Sequence, residues 1–130
     1  MQPLSVQAGV FDFFSGKTDV AAEDVMPSVI YTYQLPTNGA VEWRINNLYS
    51  STAGWGNMYL SSNGLSVIQG TIDILGSDGS KQSLGFVTPS NEGSMFQEFE
   101  KKAGVSYTFI FKGSNISVTP NPVITMDIRI

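Results

Sequence analysis

The clearest alternation of apolar and polar residues in this chain covers residues 104–113. Every second residue there is large and apolar, namely Val105, Tyr107, Phe109 and Phe111. Successive side chains of a β-strand point to opposite faces, so this spacing predicts a strand with one buried face. Ile110 interrupts the polar face, which we therefore expect to be only partly wet.

Shorter stretches with the same alternation lie before and after this strand. We predict further strands at residues 4–10, 29–35, 41–46, 55–60, 65–75, 84–86 and 124–130. Residues 48–54 are rich in Ser, Thr and Gly and are interpreted as a loop. Asn38 and Gly39 stand between two alternating stretches, and both tolerate positive φ, which predicts a β-hairpin. Asp78 and Gly79 predict a second turn in the same way.

Residues 95–102 fit two kinds of structure. Ser94, with Gln97 three residues later, has the pattern of a helix capping box, and Phe96 and Phe99 would share one face of that helix. The alternative is a strand that ends in a turn before residue 104. Every neighbouring segment is a predicted strand and this one is short, so we favour the strand.

About nine short strands, with turn signals about every 8 to 12 residues, predict an all-β fold. We expect residues 1–130 to form one domain, a single antiparallel β-sandwich of jelly-roll or Ig-like type. A closed barrel is the alternative.

Charge and hydropathy exclude two kinds of partner. The formal net charge is −4, and the only adjacent cations are Lys101 and Lys102, whereas nucleic-acid binding needs clustered Lys and Arg. No apolar run approaches the roughly 18 residues of a membrane span.

Charged residues make up 14% of the chain, against about 25% in a typical protein. Such neutral polar surfaces are common on secreted, cell-surface and virion proteins, so we expect an extracellular, cell-surface or virion location.

Little catalytic chemistry is open to this chain. It contains no His and no Cys, which excludes the usual nucleophile systems and zinc sites. A carboxylate pair, as in glycoside hydrolysis, is the remaining option. The acids predicted to face a sheet surface are Asp12, Glu42, Asp73, Glu98, Glu100 and Asp127. Since Asp and Glu are normally exposed, we interpret them as solvated residues and predict no enzyme activity.

Calcium is the one cofactor that we weighed. Asp19, Glu23 and Asp24 lie in one irregular segment, and Asp78 lies in a predicted turn. Calcium takes about six to eight oxygen ligands, so three carboxylates in a loop are a weak indication. We therefore predict no cofactor and no metal ligand.

The most suggestive group of residues is aromatic. Tyr49, Trp55 and Tyr59 flank the small polar loop at residues 50–54, with Asn47 and Asn57 nearby. Planar rings beside amide groups suit the apolar faces and hydroxyl rims of sugars. The alternative is that Trp55 plugs one end of the sandwich. The hypothesis is a non-catalytic module that binds carbohydrate or another surface ligand through these five residues.

The strands themselves suggest a second class of function. Residues 4–10 form a regular strand that could pair with the sheet edge of a neighbouring subunit, because unpaired edges are templates for strand addition. The alternative hypothesis is therefore a structural subunit of a fibre, coat or virion that assembles into a homo-oligomer through its sheet edges.

Overall fold

The computed structural model describes residues 28–91 and 93–130, and within them it contains eight β-strands and no helix. The strands are β1 (Ser28–Gln34), β2 (Ala40–Ser50), β3 (Gly54–Ser62), β4 (Ile68–Gly76), β5 (Lys81–Val87), β6 (Met95–Lys101), β7 (Val105–Asn115) and β8 (Val123–Arg129). The strand predicted at residues 4–10 lies outside the described residues.

The eight strands form two antiparallel sheets of four strands each. The first sheet has the order β1-β8-β3-β6, and the second has the order β2-β7-β4-β5. Antiparallel pairing joins β1 to β8, β2 to β7, β3 to β6 and β4 to β5. This nested pairing is the arrangement of a jelly roll. The predicted β-sandwich is confirmed, and the strand order selects the jelly roll over the immunoglobulin-like alternative.

The hairpin predicted at Asn38 and Gly39 is wrong. Gly39 has a φ of 94°, so the chain does turn there. The strands on either side belong to different sheets, however, because β1 pairs with β8 and β2 pairs with β7. The backbone N–H of Leu35, just after β1, donates to the Pro122 carbonyl at 2.8 Å and so continues the contact with β8. An Asn-Gly pair predicts that the chain reverses locally. It does not predict which strand each flanking strand pairs with.

Two predicted boundaries also need correction. The loop expected at residues 48–54 is shorter, because β2 continues to Ser50. A bulge between Ile45 and Leu48 lets this continuation pair with β7, and Asn47 adopts a φ of 59° within it. The strand expected from residue 65 begins at Ile68, because the Ser66 N–H donates to the Asn63 carbonyl in a turn.

The remaining strand predictions agree with the structure. Residues 95–101 form strand β6, as favoured over the helix. Strand β7 lies inside the second sheet, and its alternate residues Val105, Tyr107, Phe109 and Phe111 are all buried. In the core, the Phe99 ring of the first sheet meets the Phe109 ring of the second sheet edge-on, with 5.2 Å between centroids.

Asn115 ties together the connections at one end of the sandwich. Its Nδ2 donates to the Thr37 carbonyl at 3.2 Å and to the Thr119 carbonyl at 2.7 Å. Its Oδ1 accepts the Ser117 N–H at 3.0 Å. One side chain therefore replaces several backbone hydrogen bonds that these irregular segments lack.

Candidate functional site

Strand β3 presents three of the predicted site residues on the outer face of the first sheet. Gly56, Met58 and Leu60 are buried. Trp55, Asn57 and Tyr59 alternate with them along the strand and therefore point outward. Trp55 is 58% exposed, whereas Asn57 and Tyr59 are half-buried. A polar amide thus lies between two aromatic rings along one strand.

The neighbouring strands add further side chains to this surface. On β6, Glu100 lies opposite Trp55, Glu98 opposite Asn57, and Phe96 opposite Tyr59. On β8, Arg129 lies opposite Asn57 and Asp127 opposite Tyr59. We call this surface the aromatic face and define it by its outward residues, which are Trp55, Asn57, Tyr59, Phe96, Glu98, Glu100, Asp127 and Arg129.

The Tyr59 ring is held between two neighbours on the aromatic face. The Phe96 ring lies at 5.2 Å between centroids, and the guanidinium carbon of Arg129 lies 4.8 Å from the Tyr59 ring centroid. A cation over a tyrosine ring is attracted by the negative face of the ring. Tyr59 therefore supports this surface and offers little free ring to a ligand, while the exposed rings are Trp55 and Phe96.

Arg129 is fixed in place by an acidic neighbour. Its Nη2 lies 3.1 Å from Oδ2 of Asp127. The hydrogen bond to Asp127, together with the carboxylate charge, holds the pKa of Arg129 above its usual value. The guanidinium is thus a permanently charged donor in a defined position.

Tyr49 and Asn47 are not brought together with the other three predicted residues. Tyr49 is 59% exposed and pairs with Ser106, so it faces outward from the second sheet. Asn47 is exposed within the bulge of β2. These two residues therefore lie on the opposite side of the sandwich from Trp55, Asn57 and Tyr59.

A concave region lies between the edge strands β1 and β2. This cavity of about 170 Å³ is lined by Tyr31, Thr32, Tyr33, Glu42, Trp43, Arg44, Ile45 and Met126. The Trp43 ring stacks on Tyr33 at 4.7 Å and on Phe111 at 5.4 Å, and only 5% of the residue is exposed. Trp43 is thus a core residue with no ring face for a ligand.

The other acids weighed for catalysis or calcium have local partners or lie outside the description. Glu42 pairs with Arg44 at 3.1 Å, and Asp73 accepts the Ser83 hydroxyl at 2.8 Å. Asp12, Asp19, Glu23 and Asp24 lie outside the described residues. Within residues 28–91 and 93–130, no three His, Cys, Asp or Glu residues are close enough to hold a metal ion. No helix in this part of the chain is long and apolar enough to cross a membrane.

Sequence reasoning did not assign Phe96 and Arg129 to the site. Phe96 and the buried Phe99 are three residues apart, so in a strand their side chains point to opposite faces. The favoured strand therefore already implied that Phe96 points outward. Arg129 alternates with Ile128 and Ile130 in the same way. What the sequence lacked was the pairing that sets both residues beside β3.

Comparisons with known proteins add little to this description. No protein-family model and no curated protein matches the chain. Among solved structures, the chain is similar to the native structure of a family 35 carbohydrate binding module from Clostridium thermocellum. The TM-score is 0.39 and the identity 13%, over 78% of this chain and 90% of that chain. A similarity of this degree carries no argument about the site or its ligand.

Proposed function

We propose that this protein is a non-catalytic carbohydrate-binding module whose ligand lies on the aromatic face. The observation that carries the proposal is the exposure of Trp55. The residue is 58% exposed, and within residues 28–91 and 93–130 no ring contact or side-chain hydrogen bond engages its indole. An exposed tryptophan that the fold does not use is a candidate contact for a ligand.

The neighbours of Trp55 match the chemistry of a sugar. The apolar C–H face of a pyranose can stack on the indole, while its rim of hydroxyl groups needs both donors and acceptors. Asn57 offers both, Glu98 and Glu100 offer acceptors, and Arg129 offers donors. Each of these groups projects from a hydrogen-bonded strand, which favours a rigid site.

The charge of the aromatic face favours an uncharged glycan. The face carries three carboxylates, on Glu98, Glu100 and Asp127, and one guanidinium, on Arg129. A negative surface repels polyanions such as uronic-acid polymers. We therefore propose neutral oligosaccharides as the ligand class.

Binding without catalysis fits the same residues. The chain has no His and no Cys, and Asp127 is already committed to Arg129. The extracellular, cell-surface or virion location remains a prediction from composition. Homo-oligomerisation also remains a prediction, for which light scattering on a concentration series is the direct assay.

The proposal is tested with a panel of soluble hexasaccharides made of glucose, xylose, mannose or N-acetylglucosamine, measured by calorimetry. We expect at least one to bind, and we expect Trp55→Ala to weaken that binding at least tenfold, because truncating a central aromatic contact typically costs about 2 kcal/mol or more. Tyr49→Ala is the matched comparison, since Tyr49 is equally exposed on the opposite sheet, and it should leave the affinity unchanged. The proposal fails if none of the sugars binds, or if Trp55→Ala binds as well as the wild type.

A further inference from the structure

Lys101 is a charged residue almost wholly buried at the end of β6. Only 6% of it is exposed. Its Nζ donates to Ser50 Oγ at 3.2 Å, to the Thr52 carbonyl at 2.8 Å and to Thr52 Oγ1 at 2.7 Å. A lysine ammonium has three N–H donors, so all of them are used.

The partners of this ammonium are all uncharged. The ion pairs in the described part of the chain join Glu42 to Arg44 and Asp127 to Arg129, and neither involves Lys101. Burial lowers the pKa of Lys101, as expected where a charge leaves water without a carboxylate. Fully buried lysines are rare unless they are paired with an opposite charge. An apolar side chain would fill this position without the free-energy cost of taking a charge out of water. The lysine therefore needs a reason other than core packing.

That reason lies in residues 50–54, which contain all three acceptors. Residues 51–53 carry the chain from β2 in the second sheet to β3 in the first sheet. The Ser50 carbonyl, at the start of this segment, also accepts the Gly104 N–H at 2.7 Å. At its end, Gly54 lies opposite Lys101 and Trp55 lies opposite Glu100. Lys101 thus ties Ser50 and Thr52 to β6, and the exposed tryptophan follows three residues after Thr52.

We propose that Lys101 is a positioning residue that fixes residues 50–54 and thereby orients Trp55 for its ligand. The part that concerns the ligand rests on the carbohydrate-binding function proposed above. The part that concerns the loop can be measured on the free protein.

The first experiment compares full-length Lys101→Met with Lys102→Met, which removes the exposed neighbouring charge. Hydrogen exchange of the Gly104 N–H, which donates to the Ser50 carbonyl at 2.7 Å, should speed up about tenfold or more in Lys101→Met. The variant loses the ammonium that holds Ser50 and Thr52, and a single hydrogen bond to a charged group is worth that factor. Exchange in β7 and in Lys102→Met should stay as in the wild type. Of the two tryptophans only Trp55 is exposed, so acrylamide quenching of the accessible emission reports its surroundings. That quenching should change in Lys101→Met alone.

A second pair of variants keeps the test valid if Lys101→Met fails to fold. Thr52→Val removes one of the three acceptors at an exposed position, and Ser51→Ala is its exposed neighbour. We expect faster exchange of the Gly104 N–H and altered quenching in Thr52→Val but not in Ser51→Ala. Unchanged exchange and quenching in both Lys101→Met and Thr52→Val would overturn the proposal.

The second experiment measures the affinity of the same variants for the hexasaccharide that the wild type binds. We expect Lys101→Met to bind about fivefold more weakly or worse, and Lys102→Met to bind normally. If Trp55→Ala loses binding while Lys101→Met keeps it, the positioning role is wrong and the carbohydrate site stands. If no sugar binds the wild type, the carbohydrate site fails, and the exchange and quenching data still decide whether Lys101 fixes the loop.

Discussion

Gly56 provides the sharpest test of how the aromatic face is supported from beneath. The residue lies between Trp55 and Asn57 on β3, and its inner side is covered by the Phe99 ring of β6. A Cβ atom at this position would lie 2.2 Å from Cζ of Phe99 and 2.5 Å from its Cε2. The ring cannot simply move away, because Phe99 is 1% exposed and packs edge-on against Phe109.

We expect Gly56→Ala to lower the free energy of unfolding by about 2 kcal/mol. Overpacking a core typically costs about 1–3 kcal/mol, and the lower chain entropy of alanine in the unfolded state returns about 0.4–1 kcal/mol. Gly85→Ala is the matched control in the other sheet, since the nearest atom to its new Cβ would be the Gly70 carbonyl oxygen at 3.9 Å. That variant should be neutral or slightly stabilised.

Urea unfolding followed by circular dichroism measures both variants, with the slopes compared to confirm that the same surface unfolds. The Phe99→Leu background adds a second check, because a smaller side chain removes the clash. Gly56→Ala should cost about 1 kcal/mol less there than in the wild type. Equal stabilities of Gly56→Ala and Gly85→Ala would refute the proposed packing of Phe99 on Gly56.

Four further predictions address the bulge, two titrating groups and the end of the sandwich. Asn47→Ala should lose about 1 kcal/mol of stability because of its positive φ, whereas Asn47→Gly should not; equal losses would contradict this explanation. Hydrogen bonds from the hydroxyl and backbone N–H of Ser80 hold the pKa of Asp78 below its ordinary 3.8, so Ser80→Ala should raise that pKa in an NMR titration. Because the pKa is lowered in the folded state, stability from this carboxylate is present above pH 3.8 and is lost as the pH falls through the folded value. The pKa of Lys101 is lowered for a different reason, because burial disfavours its charged form, and stability again rises with pH. The unfolded chain keeps its proton up to about 10.5, so the stability of the wild type relative to Lys101→Met should rise with pH just below that value, and a flat difference would argue against the burial. Asn115→Ala should cost about 2 kcal/mol in urea unfolding, since it leaves the Thr37 and Thr119 carbonyls without their donor, and a loss below about 0.5 kcal/mol would contradict that role.

The local pattern of the sequence was enough to predict the strands and which of their faces are buried. Val105 to Phe111 in β7 and Ile124 to Ile130 at the end of the chain are buried at alternate positions, as their spacing requires. Strand pairing is a different matter, because it depends on contacts between residues far apart in the chain. The turn at Asn38 and Gly39 is real, but nothing local could reveal that it crosses between sheets.

The candidate site illustrates the same limit. Tyr49 and Trp55 are close in the sequence, yet β2 and β3 belong to different sheets. The bulge matters as well, since without it Tyr49 would share the inward phase of Trp43 and Ile45. Conversely, Arg129 lies far from Trp55 along the chain and reaches the aromatic face only because β8 pairs with β3.

Lys101 shows why burial of a single side chain escapes sequence reasoning. Lys101 and Lys102 are adjacent and look equivalent as a charged pair. The strand alternation of β6 turns Lys101 to the same side as Phe99, while Lys102 lies beyond the strand and is exposed. The three oxygen acceptors that make this burial tolerable come from Ser50, the last residue of β2, and from Thr52 in the connection to β3, some fifty residues earlier.

The most direct test of the carbohydrate site is an NMR titration of the full chain with the hexasaccharide that binds. The protein has two tryptophans, so its spectrum contains two indole N–H signals, from buried Trp43 and exposed Trp55. We predict that the Trp55 indole and the Asn57 side-chain amide shift with added sugar while the Trp43 indole does not. Shifts that instead cluster at Tyr49 and Asn47, or at the cavity between β1 and β2, would contradict the proposed site.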